Sequence, residues 1–138
     1  MSLETDLAAY LRADSGVAAV LGTRIYRLVA DQDAAFPYAV LASLTVEPQR
    51  TLRGPTGEAV AKLQIACWAD TVADAEGARD AVRAALRALE RGIVAARIPA
   101  VVGATRIRDV TDDSDQELYE DEVRQPRRLL EVTIRYEE

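Results

Sequence analysis

The residues of this chain best suited to chemistry are its carboxylates, and they concentrate in one place. From Asp109 to Glu117 the sequence reads DVTDDSDQE, which brings Asp112, Asp113, Asp115 and Glu117 close together. Asp113, Asp115 and Glu117 alternate in a way that could offer oxygens to calcium or magnesium. A calcium loop also needs a glycine at its sharp turn and a bidentate glutamate at its end, and both are missing at the required places. The plain alternative is a solvated acidic loop over 111–122, held mobile by like-charge repulsion until a partner orders it. Two carboxylates could also make a glycosidase-like pair. Nothing in the sequence fixes a pocket for them, and the few aromatics leave little for a sugar to stack on.

Other chemistries fail for want of groups. The chain has no histidine, which excludes histidine-based triads and histidine-ligated metals. Cys67 is the single cysteine, so an intrachain disulfide and a thiolate zinc cluster are both excluded. It lies in an apolar alternating run and reads as a small buried hydrophobe rather than a reactive thiol. The GPTG at Gly54 lacks the lysine and spacing that cradle phosphate. Asp70 and Thr71 stand at a strand-to-helix turn, a common place for catalytic groups, yet helix capping accounts for both. No catalytic residue, metal or cofactor is expected.

Bulk properties narrow the class further. A length of 138 residues suits one domain over 1–138, and 49% hydrophobic residues supply a core. Seventeen basic and 23 acidic residues give a net charge of -6, which argues against a dedicated DNA-binding surface. No apolar run approaches a membrane span, and the acidic, amphipathic start MSLETDLAAYLRAD is wrong for a signal peptide.

The elements follow from periodicity and punctuation. Leu3, Leu7 and Leu11 form one face of a helix that Ser2 can cap, with Glu4 and Asp6 placed to suit its dipole. A second short helix runs from Val17 to Leu21 and ends at Gly22. A short strand is expected over Thr23–Val29, and a polar connector over 30–35. A second strand opens at Pro37, carries Tyr38, Val40, Leu44 and Val46 on one parity, and ends at Pro48. QRTLRGPTGEA reads as a hairpin connection of more than minimal length. The strand from Ala59 to Ala69 buries its odd positions through Cys67, leaving Trp68 on the wet face to cover a sheet edge or meet a neighbouring subunit. Thr71 and Asp74 make a capping-box-like start to a helix from Val72 to about Glu90, with Ala75, Ala78, Val82, Leu86 and Leu89 in one stripe. Its small residues, a glycine included, would let it lie close to what it covers. A strand near Val101–Val110 and a last strand with Leu130, Val132, Ile134 and Tyr136 on one face complete the chain. The expected fold is α+β: a mostly antiparallel, mixed sheet of about five strands, with an N-terminal helix and one long helix packed on one face.

Read in order, these features resemble the tail-completion, or tail-terminator, proteins of long-tailed bacteriophages and related prophages or gene-transfer particles. LGTRIY (Leu21 to Tyr26), the FPY triplet (Phe36 to Tyr38) and the junction from WAD into the helix TVADAEGARDAVRAAL carry most of the likeness. They are packing and turn signatures rather than catalytic motifs. The resemblance implies a structural virion protein, made in the bacterial cytoplasm, that assembles into a homo-oligomeric, commonly hexameric ring. That ring caps the tail tube, stops its polymerisation and presents a surface to the head–tail connector, with DNA passing through its lumen without specific binding and no membrane involved. Heterologous contacts that close by rotation would build it. Arg50, Thr51, Leu52 and Arg53, on a possible hairpin arm, together with Trp68, Asp112, Asp113, Asp115 and Glu117, are the candidate interface residues. Another neck or connector component is the nearest alternative. A small carboxylate-based enzyme or ligand-binding domain is the alternative from a different class.

Overall fold

The structure, a computed structural model, describes residues 2–30, 35–96, 100–120 and 125–137. The chain is helical as far as Leu21 because its apolar residues recur at fours and its polar residues cap. Helix α1 (Leu3–Ala13) starts at Ser2, whose Oγ accepts the Thr5 backbone N–H at 3.2 Å. Asp14 closes α1, its N–H donating to the carbonyls of Tyr10 and Leu11, and starts α2 (Ser15–Leu21) by accepting the Val17 N–H on its side chain at 3.1 Å. Gly22, at φ 60°, ends α2 in a backbone conformation that side chains resist.

Three strands follow: β1 (Ile25–Arg27), β2 (Tyr38–Thr51) and β3 (Gly54–Trp68). The long helix α3 (Val72–Ala96) then leads to β4 (Ala100–Val102), β5 (Thr105–Glu120) and β6 (Gln125–Glu137). The sheet runs in the order β1-β2-β3-β6-β5-β4. The β1–β2 pair is parallel and every other pair antiparallel, giving the mixed α+β architecture expected. The described residues hold six strands rather than about five, because β4 forms a hairpin with the start of β5 across Gly103.

The core lies between the helices and one face of the sheet. Leu7, Leu11, Val17, Leu21, Val82 and Leu86 meet Leu41, Leu63, Ile65, Ile107, Leu130 and Ile134, all fully buried or nearly so. Each such aliphatic side chain contributes about 1.5–3 kcal/mol of burial. Strand β3 buries Ala59, Ala61, Leu63, Ile65 and Cys67, the expected parity. In β2 the helix-facing parity is Ala39 and Leu41, whereas Tyr38 and Val40 are half-buried and Leu44 and Val46 exposed. Tyr38 and Val40 therefore lie on the sheet face that carries no helix, while the bulge between Ser43 and Thr45 returns Val46 to the face of its partner Ala61, where it is 45% exposed.

Four sequence expectations are corrected. Pro48 does not end β2. Beyond Leu41, β2 is an edge strand, so Pro48 can pair with Ala59 without leaving a ladder bond unmade. QRTLRGPTGEA is not a long connection, since the strands run through it and turn at Leu52–Arg53. The acidic run is not a loop, because β5 continues through it, paired with β6 as far as Glu120↔Gln125. Helix α3 extends past Glu90 to Ala96. The connector expected over 30–35 and the end of the acidic segment at 121–122 fall outside the described residues, apart from Ala30 and Ala35.

Candidate assembly interface

At the turn between β3 and α3, Thr71 Oγ1 accepts the Asp74 N–H at 3.1 Å, and Asp70 is exposed. Thr71 thus caps the helix. Cys67 is fully buried, and burial pushes its thiol up to about 12, a little offset by the Arg79 charge. It is a packed apolar group with almost no thiolate at neutral pH. Among the described residues no group of three or more histidine, cysteine or carboxylate side chains is arranged to hold a metal.

Pairing with β6 orders the acidic run and points alternate residues to opposite faces. Asp115, opposite core Leu130, faces α3. Its Oδ2 pairs with Arg79 and lies 3.8 Å from Arg83 and 3.0 Å from Arg128, while Arg128 also reaches Glu76 at 3.7 Å. The Asp115 and Arg79 side chains are each 13% exposed, so this carboxylate is spent inside the fold, tying β5 and β6 to α3. Asp113 is the extra residue of a bulge, exposed, and accepts the Thr133 hydroxyl. Asp112 stands opposite Val132 and Glu117 opposite Arg128 in the backbone register, and their side chains lie outside the described residues. Of the two described side chains, Asp115 faces α3 and Asp113 stands exposed on its bulge, so these two do not share a patch.

Arg50, Thr51, Leu52 and Arg53 do come together, at the tip of a projecting hairpin. Strand β3 first pairs with β6 at Glu58↔Glu137, so the hairpin beyond Glu58 stands clear of the sheet by about 15 Å at ~3.3 Å per residue. Gly54, at φ 112°, takes the backbone conformation that lets Thr51 pair with it across the turn. The Thr51 hydroxyl accepts the Arg53 N–H at 3.2 Å, and the Thr56 hydroxyl donates to the Gln49 carbonyl at 3.2 Å. At this pinned tip Leu52 is fully exposed. No ion pair is formed by Arg50 or Arg53 among the described residues.

At the other end of the same strands lies an aromatic cluster on the helix-free face. Tyr38 and Trp68 are register partners, with ring centroids 6.4 Å apart. Phe36 stacks on Tyr38 at 5.2 Å, and Tyr26 meets it edge-on at 6.0 Å. The Arg127 guanidinium lies 4.8 Å over the Trp68 ring, a favourable cation–π distance. Burial, then the neighbouring Tyr26 hydroxyl, raises the Tyr38 pKa. Because β3 is an interior strand, Trp68 covers no sheet edge. The rest of this cluster left no signal in the sequence, because the strand pairing that gathers it is long-range.

The sheet edges are poor templates for pairing. Beyond the β1 contact, the outer edge of β2 carries Pro48 and bulges between Ser43 and Thr45 and between Pro48 and Arg50. Beyond β4, the outer edge of β5 is acidic and bulged after Ile107 and after Asp112. Such features block continuous edge-to-edge ladders.

The geometry is that of a small α+β building block with a projecting arm and an open aromatic face. The sequence profile of the family described as "Tail completion protein gp17" matches residues 5–137, and the chain belongs to that family. It is thus a structural protein of a phage-type virion tail. Among solved structures, a chain of the "Virion of native gene transfer agent (GTA) particle" has the same fold. It superposes with a TM-score of 0.77 at 24% identity, over 99% of this chain and 96% of that one. No curated protein matches. The fold and family expected from LGTRIY, FPY and the WAD junction are therefore both present. Among the described residues no helix is long and apolar enough to cross a membrane.

Proposed function

We propose that the chain, acting as one domain, closes with copies of itself into a ring, a hexamer. The ring caps the finished tail tube, stops its polymerisation and joins it to the head–tail connector, without catalysis. The observation that carries this reading is the pair of dissimilar surfaces at opposite ends of one sheet. A projecting arm and an open aromatic face cannot satisfy each other within one chain, and dissimilar patches meeting head to tail make the heterologous contacts that close rings. Arg50, Thr51, Leu52, Arg53 and Trp68 are the contact residues. Asp113, exposed on its bulge, is the residue of the acidic run best placed to join them. The net charge of -6 suits a lumen that lets DNA pass without holding it.

Size-exclusion chromatography with light scattering and negative-stain imaging test the assembly. The expected result is a concentration-dependent shift from monomer to a closed ring, enhanced by tail tubes. A strict monomer at high concentration, with no density at tube ends, contradicts it.

A further inference from the structure

The open sheet face holds a groove of about 350 Å³ lined by Leu28, Val29, Val40, Ala42, Ala66 and Trp68, with Gln64 and the Arg127 guanidinium also on its wall. Leu28 and Val29 are 72% and 73% exposed, and Ala42 and Val40 lie half-buried on the helix-free parity of β2. Exposed apolar side chains gathered in a groove with a polar wall mark a contact site on a small protein. The occupant can be read from the chain itself. Leu52 is an apolar knob on a rigid two-stranded arm, flanked by Arg50 and Arg53. Beside the groove, the Ala42–Gln64–Glu131 row of the sheet places Glu131 on the same open face. Asp70 is exposed just past Trp68. Neither carboxylate makes an ion pair among the described residues, and neither do the two tip arginines.

Reach decides that the contact is between molecules. From Ala42 to Leu52 is ten residues of strand, about 33 Å, pointing away from the groove. The arm cannot fold back onto its own groove without breaking its pairing with β3. We propose that Leu52 of one copy seats in the open-face groove of the next, with Arg50 and Arg53 meeting Glu131 and Asp70 of that neighbour. This rests on the ring reading, because the partner is a second copy of the chain. It gives the exposed Leu28 and Val29 and the half-buried Val40 a covering partner, and it makes the contact heterologous, knob to groove.

Site-directed cross-linking tests it in the full-length protein. Cys67 is fully buried with its thiol held protonated, so the natural chain is a quiet background. Leu52→Cys and Ala42→Cys, made separately and mixed under mild oxidant, should give a disulfide-linked dimer containing one of each variant. Leu52→Cys alone should give none. In parallel, Leu52→Asp should weaken self-association about 10- to 100-fold, the loss expected for one buried leucine. Arg53→Glu should weaken it less, with recovery when Glu131→Arg is added. Self-linking of Leu52→Cys, or its capture by tube protein in place of a second copy, overturns the contact. Undiminished rings in Leu52→Asp overturn it while leaving the ring reading intact. A chain that stays monomeric at every concentration and on tubes overturns both.

Discussion

Asp115 gathers Arg79, Arg83 and Arg128 around one carboxylate between the sheet and α3. Removing it leaves three neighbouring cations with one less counter-charge in a largely dehydrated site. Asp115→Ala should therefore destabilise the fold by about 2–3 kcal/mol, at or below the foot of the ~3–5 kcal/mol range for breaking a fully buried pair because these side chains are 13–25% exposed, and chemical denaturation measures that. Cys67 makes a second residue-scale prediction. Below about pH 9 the thiol is protonated in both states, and between there and about 12 only the unfolded chain releases its proton. Its contribution is therefore full below pH 9 and is lost as pH rises towards 12, by about 1.4 kcal/mol per unit. Comparing the alkaline stability of the natural chain with Cys67→Ala isolates that slope from tyrosine and lysine titration. The sequence already showed Cys67 as buried, because its neighbours alternate. It did not show Asp6, expected only to suit the α1 dipole, as a buried group accepting the Thr105 hydroxyl at 2.5 Å. That contact spans 99 positions and leaves no local trace.

The same division between local and long-range signals holds for whole elements. Caps, helical stripes and the alternation of β3 and β6 were readable because each is fixed by residues a few places apart. The course of β2 through Pro48 and of β5 through the aspartates was not. Composition alone favours loops there, and both strands exist because a partner strand supplies the ladder. Nor was the parity of β2 readable, since small Ala39 and Leu41 are drawn inward by the helices that cover them. Two glycines separate packing from propensity. At Gly103, φ is +60° and an added Cβ would fall 2.5 Å from Asp6 Oδ1. Gly103→Ala should cost about 2 kcal/mol or more by combining strain with a clash against a buried carboxylate. Gly77 in α3 was expected to permit close packing, yet an added Cβ meets no described atom within 4 Å. Gly77→Ala should raise stability by about 0.5–1 kcal/mol through helix propensity. Thermal melts of the two variants should therefore move in opposite directions.

At the scale of the molecule, the features outside the core fall into a pattern: edges spoiled for pairing, one arm pinned at its tip, and one sheet face left uncovered with an aromatic cluster on it. A chain that worked alone would have little use for an exposed leucine at the end of a fourteen-residue strand. Excising residues 49–56 and closing β2 to β3 with an Asn-Gly turn should leave the thermal midpoint within a few degrees, because none of those residues enters the core. Rings should be lost in the same variant, which light scattering would record. The central claim, that the assembled protein stops tube growth by sitting on its end, is tested most directly by electron microscopy of tail-tube protein polymerising with and without this chain. The account predicts short tubes of narrow length distribution with a ring at one end. Tubes of unchanged length with bare ends, in the presence of excess folded protein, would contradict it.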